Sequence, residues 1–169
     1  SAAALLAAHP GLTAGAVLED PPWRTGPAAQ DPQVWMQERT AALARQQQLS
    51  PAALEAEARA ANPGWADEEF PAWVQAKRQA SPHIFKFTPQ TRLAWREVVP
   101  RFAEPVLLIR GDPECGGIVN QAVADEAQRL NPLVRVAHIQ GAEHSIRRTH
   151  FEPYLAVVRE FLRSILKTA

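Results

Sequence analysis

The segment PVLLIRGDPE, residues 105–114, decides the fold class of this chain. Residues 106–110 form a short apolar run between a proline and a glycine, which is typical of a strand buried in a sheet. A second run follows at residues 133–139, and between the two runs apolar residues recur at helical spacing behind Asn120, which is predicted to be the N-cap. This alternation predicts a parallel β-sheet covered by helices, an α/β fold.

The regions on either side of this segment extend the pattern. Residues 14–18 form a third apolar run after an alanine-rich helix, and from Phe151 apolar residues mark one face of a closing helix. Between residues 23 and 100 strand signals vanish, and helix-forming segments alternate with proline and glycine. We therefore divide the chain into a core at 1–22, a helical cap at 23–100 and a core at 101–169. The predicted cap helices are 31–48, 51–61, 67–79 and 88–98.

Composition excludes several classes of function. Lys and Arg number 18 against 18 Asp and Glu, so no net field attracts nucleic acid or an anionic membrane. Cys115 is the lone cysteine, and the five histidines lack a paired zinc-ligand spacing, so we expect no metal and no cofactor. Apolar stretches are too short to cross a bilayer. We expect a soluble, cytoplasmic protein that acts on a small molecule and binds neither nucleic acid nor membrane.

Polar residues follow each predicted strand. They are Glu19 and Asp20, then Asp112 and Glu114, then His144. In open parallel sheets, catalytic groups gather at the carboxyl ends of the strands. A carboxylate loop followed by a histidine loop supplies the acid and the base that a weak serine nucleophile requires, because the carboxylate fixes the tautomer of the imidazole.

Four short segments in the right order resemble the C-terminal part of α/β-hydrolase-fold enzymes, which insert a helical cap at the position of residues 23–100. The resemblance implies about three parallel strands of that fold, flanked by helices, and a catalytic triad. The four segments are LLAAHP at 5–10, AVLEDP at 16–21, PVLLIRGDPE at 105–114 and GAEHSI at 141–146.

Carried over residue by residue, the resemblance makes His144 the general base. The acid of the family stands three residues after the glycine that ends the strand, which favours Glu114 over Asp112. Asp20 is a third candidate, because some members take the acid from the strand before the cap. Its alternative role is to form the following turn and to accept hydrogen bonds from nearby amides.

The nucleophile motif G-x-S-x-G does not occur in the chain. Ser1 stands closer to the histidine and proline at 9–10 than the elbow serine of the family does, so we interpret it as a residue within the first helix. We expect the elbow, the oxyanion hole and the first strands to precede this chain. The chain alone should then be inactive, and its partners would be the missing N-terminal half or a second copy of itself.

Aromatic residues are frequent in the cap, where they would bind an apolar substrate or pack the helices. Of these, Trp23 and Trp73 are predicted to bind substrate. The resemblance implies hydrolysis of small apolar carboxylic esters through an acyl-enzyme. The alternatives are an epoxide hydrolase or haloalkane dehalogenase with an aspartate nucleophile, and a non-catalytic ligand-binding or interaction protein on the same fold.

Overall fold

The computed structural model describes residues 2–25, 31–87 and 94–166. The described residues form two compact units, one made of 2–25 with 94–166 and one made of 31–87. The elements in chain order are α1 (Ala2–Ala8), β1 (Ala16–Glu19), α2 (Pro32–Gln48), α3 (Pro51–Ala61), α4 (Glu69–Gln79), α5 (Ile84–Phe87), α6 (Trp95–Val98), β2 (Val106–Arg110), α7 (Gln121–Leu130), β3 (Val134–His138), α8 (Ile146–Thr149) and α9 (Phe151–Leu166), with 3₁₀-helices at Val99–Arg101 and Pro113–Cys115.

The sheet of the first unit is parallel, in the order β1-β2-β3. Leu108 of β2 is in register with Leu18 of β1 and with Val136 of β3. All three strands therefore end at the same edge of the sheet, where the loops that follow them meet. The predicted fold class, three parallel strands flanked by helices, is confirmed.

Helices cover both faces of this sheet. Successive side chains of a strand point to opposite sides, so each face of β2 packs against a different set of helices. All five residues of β2 are buried. On one face Leu108 belongs to an apolar cluster that includes Leu6 of α1 and Val123 of α7. On the other face Leu107 and Ile109 belong to a cluster with residues of α9. The central strand is thus held between two apolar layers, which fixes the edge that carries the polar loops.

Two helices of the second unit, α2 and α3, begin at residues whose side chains cap them. The Asp31 carboxylate accepts hydrogen bonds from the backbone N–H groups of Gln33 and Val34 at the start of α2. Ser50 caps α3 in the same way, and proline occupies the first turn of both helices. Leu54 and Phe70 lie in the interior of this unit.

The helices differ from the predicted ones in two places. Of the helix predicted at 88–98, residues 88–93 lie outside the described residues, and only Trp95–Val98 forms an α-helix. The four-residue helices α5 and α8 were not predicted, since a single turn is too short to show a period. Within the described ranges, no helix has the length and apolar character needed to span a membrane.

Candidate active site

His144 and Asp20 meet at the carboxyl edge of the sheet. The Nδ1 atom of His144 lies 2.9 Å from Oδ2 of Asp20. Asp20 follows β1 directly, and its backbone N–H donates to the carbonyl of Ile109 in β2, which continues the strand pairing by one residue. His144 lies in the loop after β3, so two residues 124 positions apart come together through the parallel sheet.

The Asp20 carboxylate is fully buried and accepts two further hydrogen bonds. The backbone N–H of Ile118 donates to Oδ2 at 2.8 Å, and that of Val119 donates to Oδ1 at 2.9 Å. Three donors thus converge on one buried carboxylate, which offsets the cost of removing it from water. Asp20 also has a positive φ of 37°, a conformation that aspartate tolerates better than most residues and that occurs at functional sites.

The hydrogen bond to Asp20 fixes the tautomer of the His144 imidazole. A carboxylate can only accept hydrogen bonds, so the contact assigns the proton of the neutral ring to Nδ1. The Nε2 atom then carries a lone pair, and the side chain is 56% exposed. A general base requires one nitrogen anchored by a carboxylate and a second nitrogen with a lone pair, and this contact supplies both.

Asp112 lies nearby but is engaged elsewhere. One of its carboxylate oxygens lies 2.5 Å from Nε2 of His138, at the end of β3, and the other accepts the backbone N–H of Gly141 at 2.6 Å. The hydrogen bond from Gly141, followed by that from His138, lowers the pKa of Asp112 below its ordinary value. Asp112 therefore joins the ends of β2 and β3, and it is not the hydrogen-bond partner of His144.

Glu114, the acid that the sequence favoured, is not the residue that binds His144. It lies in the 3₁₀-helix Pro113–Cys115 and is exposed, with no hydrogen bond to His144. The chain then turns through Gly116, whose φ is 98°, so the loop presents the N–H groups of Ile118 and Val119 to Asp20. The loop after β2 thus contributes backbone donors, while the carboxylate that they bind follows β1. The geometry pairs His144 with Asp20, not with Glu114 or Asp112.

Gly111 permits the histidine loop to lie against the end of β2. A Cβ atom at this position would overlap the backbone carbonyl of Ala142 and come within 3.1 Å of the carbonyl oxygen of Glu143. The backbone N–H of Asp112 donates to that Ala142 carbonyl at 2.8 Å. The glycine that ends the strand is therefore required by the close approach of two backbones, one of which carries His144.

Glu19 and Arg147 form a contact that the sequence did not indicate. The Glu19 carboxylate accepts the backbone N–H of Arg147 at 3.0 Å and its guanidinium N–H at 2.6 Å. Glu19 is the last residue of β1 and Arg147 lies three residues after His144. The segment that follows His144 is thus attached to the strand that precedes Asp20.

The two tryptophans predicted to bind substrate belong to different units. Trp23 is 5% exposed and stacks on Trp95 with ring centroids 5.5 Å apart, inside an apolar cluster of the first unit. That burial favours a packing role for Trp23. Trp73 lies in α4, is partly exposed, and has the ammonium nitrogen of Lys77 5.2 Å from its ring centroid.

The described residues contain no cluster of three or more His, Cys, Asp or Glu side chains suited to a metal ion. Cys115 is exposed.

Comparison with solved structures supports the same fold. E-2-(acetamidomethylene)succinate hydrolase superposes with a TM-score of 0.68 at 19% identity, over 96% of this chain and 62% of that one. N-formylmaleamic acid deformylase from Pseudomonas putida gives 0.67 at 16% identity, over 93% and 61%. The thioesterase domain from the curacin biosynthetic pathway gives 0.58 at 13% identity, over 93% and 62%.

These likenesses show that the chain has part of an α/β-hydrolase fold, as the sequence resemblance implied. The chain spans about three fifths of the length of the structures that it matches. No protein-family model matches the chain, and no curated protein matches it at a significant level.

Proposed function

We propose that this chain supplies the acid and the base of an α/β-hydrolase that cleaves small apolar carboxylic esters. The observation that carries the proposal is the contact between His144 Nδ1 and the fully buried carboxylate of Asp20, in a histidine whose side chain is 56% exposed. Asp20 replaces Glu114 and Asp112 as the proposed acid, because it alone of the three is hydrogen-bonded to His144.

The chemistry would follow the acyl-enzyme route. A serine that precedes this chain attacks the ester carbonyl carbon, and its proton passes to Nε2 of His144. The tetrahedral intermediate expels the alcohol, which takes that proton. Water then attacks the acyl-serine while His144 accepts its proton, and the second tetrahedral intermediate expels the serine oxygen, which takes that proton from His144 as the carboxylic acid is released. Throughout, the Asp20 carboxylate stabilises the imidazolium that forms twice in each cycle.

The buried position of Asp20 strengthens its effect on His144. A charge surrounded by protein interacts more strongly with a neighbouring charge than a charge in water does. The two backbone N–H groups from Ile118 and Val119 keep the carboxylate oriented, so that little reorganisation is needed when His144 becomes charged. The sequence contains no G-x-S-x-G motif, so we propose that these 169 residues alone are inactive.

Substrate choice would depend on the helical unit. We assign the apolar part of the substrate to its aromatic side chains, Trp73 among them, because large rigid rings supply contact area at a low entropic cost. Two of the structural neighbours carry names that refer to an acetamido and an N-formyl substrate. N-acyl amides therefore belong in the same substrate panel as esters.

The test uses the intact native protein, with p-nitrophenyl acetate and p-nitrophenyl butyrate as substrates and a fluorophosphonate as a label for the nucleophile. His144→Ala should reduce kcat by about 10⁴-fold or more, since the base and the nucleophile act as one unit. His9→Ala is the matched control, because His9 is an exposed histidine of the same unit at the end of α1. It should keep both turnover and labelling rate.

The results of this experiment distinguish the three functional hypotheses. Labelling of a serine at a rate that falls in the His144 variant supports the proposal. A nucleophilic aspartate, identified by incorporation of oxygen from isotopically labelled water, would instead support the epoxide hydrolase or dehalogenase hypothesis. Absence of both labelling and turnover, for every ester and N-acyl amide, would support the hypothesis of a non-catalytic ligand-binding protein.

A further inference from the structure

Side-chain packing alone does not hold His144 in place, because more than half of the side chain is exposed. The contact with Asp20 fixes only one atom of the ring. The position of the ring therefore depends on the backbone of the segment that carries it. That segment is hydrogen-bonded to a carboxylate on each side of the histidine, and the hydrogen bond of the His144 imidazole goes to a third carboxylate, that of Asp20.

The first carboxylate is Asp112, which holds the segment before His144. One oxygen accepts the N–H of Gly141, and the backbone N–H of Asp112 donates to the carbonyl of Ala142. Gly141 has a φ of 77°, a left-handed turn that suits glycine. The other oxygen lies against Nε2 of His138 at the end of β3, so Asp112 attaches the turn at Gly141 to the ends of both β2 and β3.

The surroundings of Asp112 favour its charged form. Arg110 is 5% exposed and lies two residues away, at the end of β2. Its guanidinium donates to the Gln121 side chain at 2.6 Å and to the carbonyl of Gly111, and its charge helps to lower the pKa of Asp112. A buried cation beside a partly buried carboxylate keeps the acceptor ionised and its hydrogen bonds strong.

The second carboxylate is Glu19, which holds the segment after His144. It accepts both the backbone N–H and the guanidinium of Arg147. Because Glu19 adjoins Asp20 in sequence, the same strand end fixes the acid directly and the histidine segment through Arg147. A displacement of His144 relative to Asp20 is therefore restricted.

We infer that Asp112 and Glu19 are positioning residues for His144: they hold the backbone on each side of the histidine so that Nδ1 stays on Asp20 and Nε2 faces the reactant. Asp112 thus serves the site without being its acid. This inference rests on the proposed function for its catalytic consequence, but its geometric part does not depend on turnover.

The experiment compares Asp112→Ala, Asp112→Asn, Glu19→Ala and Glu19→Gln with the parent. The control is Glu126→Ala, which removes a carboxylate that accepts two hydrogen bonds from Arg96 on the surface of the same unit. Three quantities are measured: kcat and KM for p-nitrophenyl acetate in the intact native protein, the ¹⁵N shifts of the His144 imidazole, and the free energy of unfolding in urea.

Asp112→Ala and Glu19→Ala should each lower kcat by up to about 10²-fold, the effect of a misplacement of about 1 Å, with KM little changed. The ¹⁵N shifts should show loss of the single Nδ1-protonated tautomer of His144. Asp112→Asn should recover much of both signals, because its amide oxygen can accept from Gly141 while its amide N–H donates to Nε2 of His138. Glu19→Gln should recover less, since it loses the ion pair.

The inference would be overturned by ¹⁵N shifts of His144 that are the same in the parent and the alanine variants, or by losses of kcat that Glu126→Ala reproduces at equal stability. A parent protein that hydrolyses neither ester would defeat the proposed function alone. In that event the His144 shifts of the same variants still decide whether Asp112 and Glu19 position the ring.

Discussion

Replacement of Asp20 by alanine and by asparagine should have different effects, and the difference follows from the three donors at its carboxylate. Alanine leaves the N–H groups of Ile118 and Val119 without an acceptor in a buried place. At about 1–3 kcal/mol for each unsatisfied group, Asp20→Ala should lower the free energy of unfolding by roughly 2–6 kcal/mol. It also frees His144 Nδ1, so kcat should fall by about 10⁴-fold.

Asparagine has one oxygen for these donors and must place its amide nitrogen at the other position. At the Oδ2 position the amide nitrogen, itself a donor, would face the N–H donors of both Ile118 and His144. At the Oδ1 position it would face only the N–H of Val119. We therefore expect the oxygen to stay with His144 and to preserve its tautomer. The loss of stability is then about 1–3 kcal/mol, from one unsatisfied group.

The asparagine variant would still lose the negative charge opposite the imidazolium. A hydrogen bond to a charged group exceeds a neutral one by about 1–2 kcal/mol, which corresponds to roughly a 5- to 30-fold loss of kcat. Urea unfolding gives the stabilities, p-nitrophenyl acetate turnover by the intact native protein gives kcat, and ¹⁵N shifts give the tautomer of His144. An Asp20→Ala variant with full activity, or an asparagine variant as inactive as alanine with the tautomer intact, would refute this reasoning.

Other predictions concern the frame of the site. Gly111→Ala should displace the histidine loop, because its Cβ would overlap the Ala142 carbonyl, and ¹H–¹⁵N spectra should show the largest shifts in that loop. Leu108→Ala, in the fully buried centre of the sheet, should lower the free energy of unfolding by about 2–5 kcal/mol in urea titrations. The pKa of Asp112 is lowered by folding, so its contribution is complete above its unfolded pKa of about 3.9 and disappears as pH falls through the folded value. The stability difference between the parent and Asp112→Asn should therefore shrink from pH 6 to pH 3, and a constant difference would contradict the assigned hydrogen bond from Gly141. The 169 residues expressed alone present the outer edges of β1 and β3, so size-exclusion chromatography should show species larger than 18.6 kDa, and a compact monomer would contradict this expectation.

Local sequence signals were sufficient for the fold. The buried strand of residues 106–110 has the same limits in the structure, because proline and glycine punctuate it and every residue between them is buried. The N-cap Asn120 is also as the sequence indicates, since this cap depends on a side chain and an amide only three residues away. Interactions of this kind are contained within a few residues and can be inferred without a structure.

The partner of His144 required information that the sequence does not carry locally. Counting residues from Gly111 favoured Glu114, but the count assumes that the loop runs towards His144, whereas the 3₁₀-helix and Gly116 turn it away. Asp20 shared the signal that identified the other candidates, a polar residue at a strand end. What distinguished it was the backbone donors of residues 118–119, almost a hundred positions away, and their direction depends on tertiary structure.

The contact of Glu19 with Arg147 could not have been inferred for the same reason. It spans 128 positions, and nothing in the sequence distinguishes either residue from an ordinary surface charge. A strand end followed by two acidic residues was visible, but alternation along the strand assigns them to opposite faces without saying which one meets the histidine.

The most direct test is an experimental structure of the intact native protein after inactivation by a fluorophosphonate. If His144 is the base and Asp20 the acid, the phosphorus will be bound to a serine oxygen, with Nε2 of His144 about 2.6–3.2 Å from an oxygen of the adduct. Nδ1 will remain on the Asp20 carboxylate. A modified residue that His144 cannot reach, or an imidazole hydrogen-bonded to Glu114 or Asp112 instead of Asp20, would contradict the proposed site.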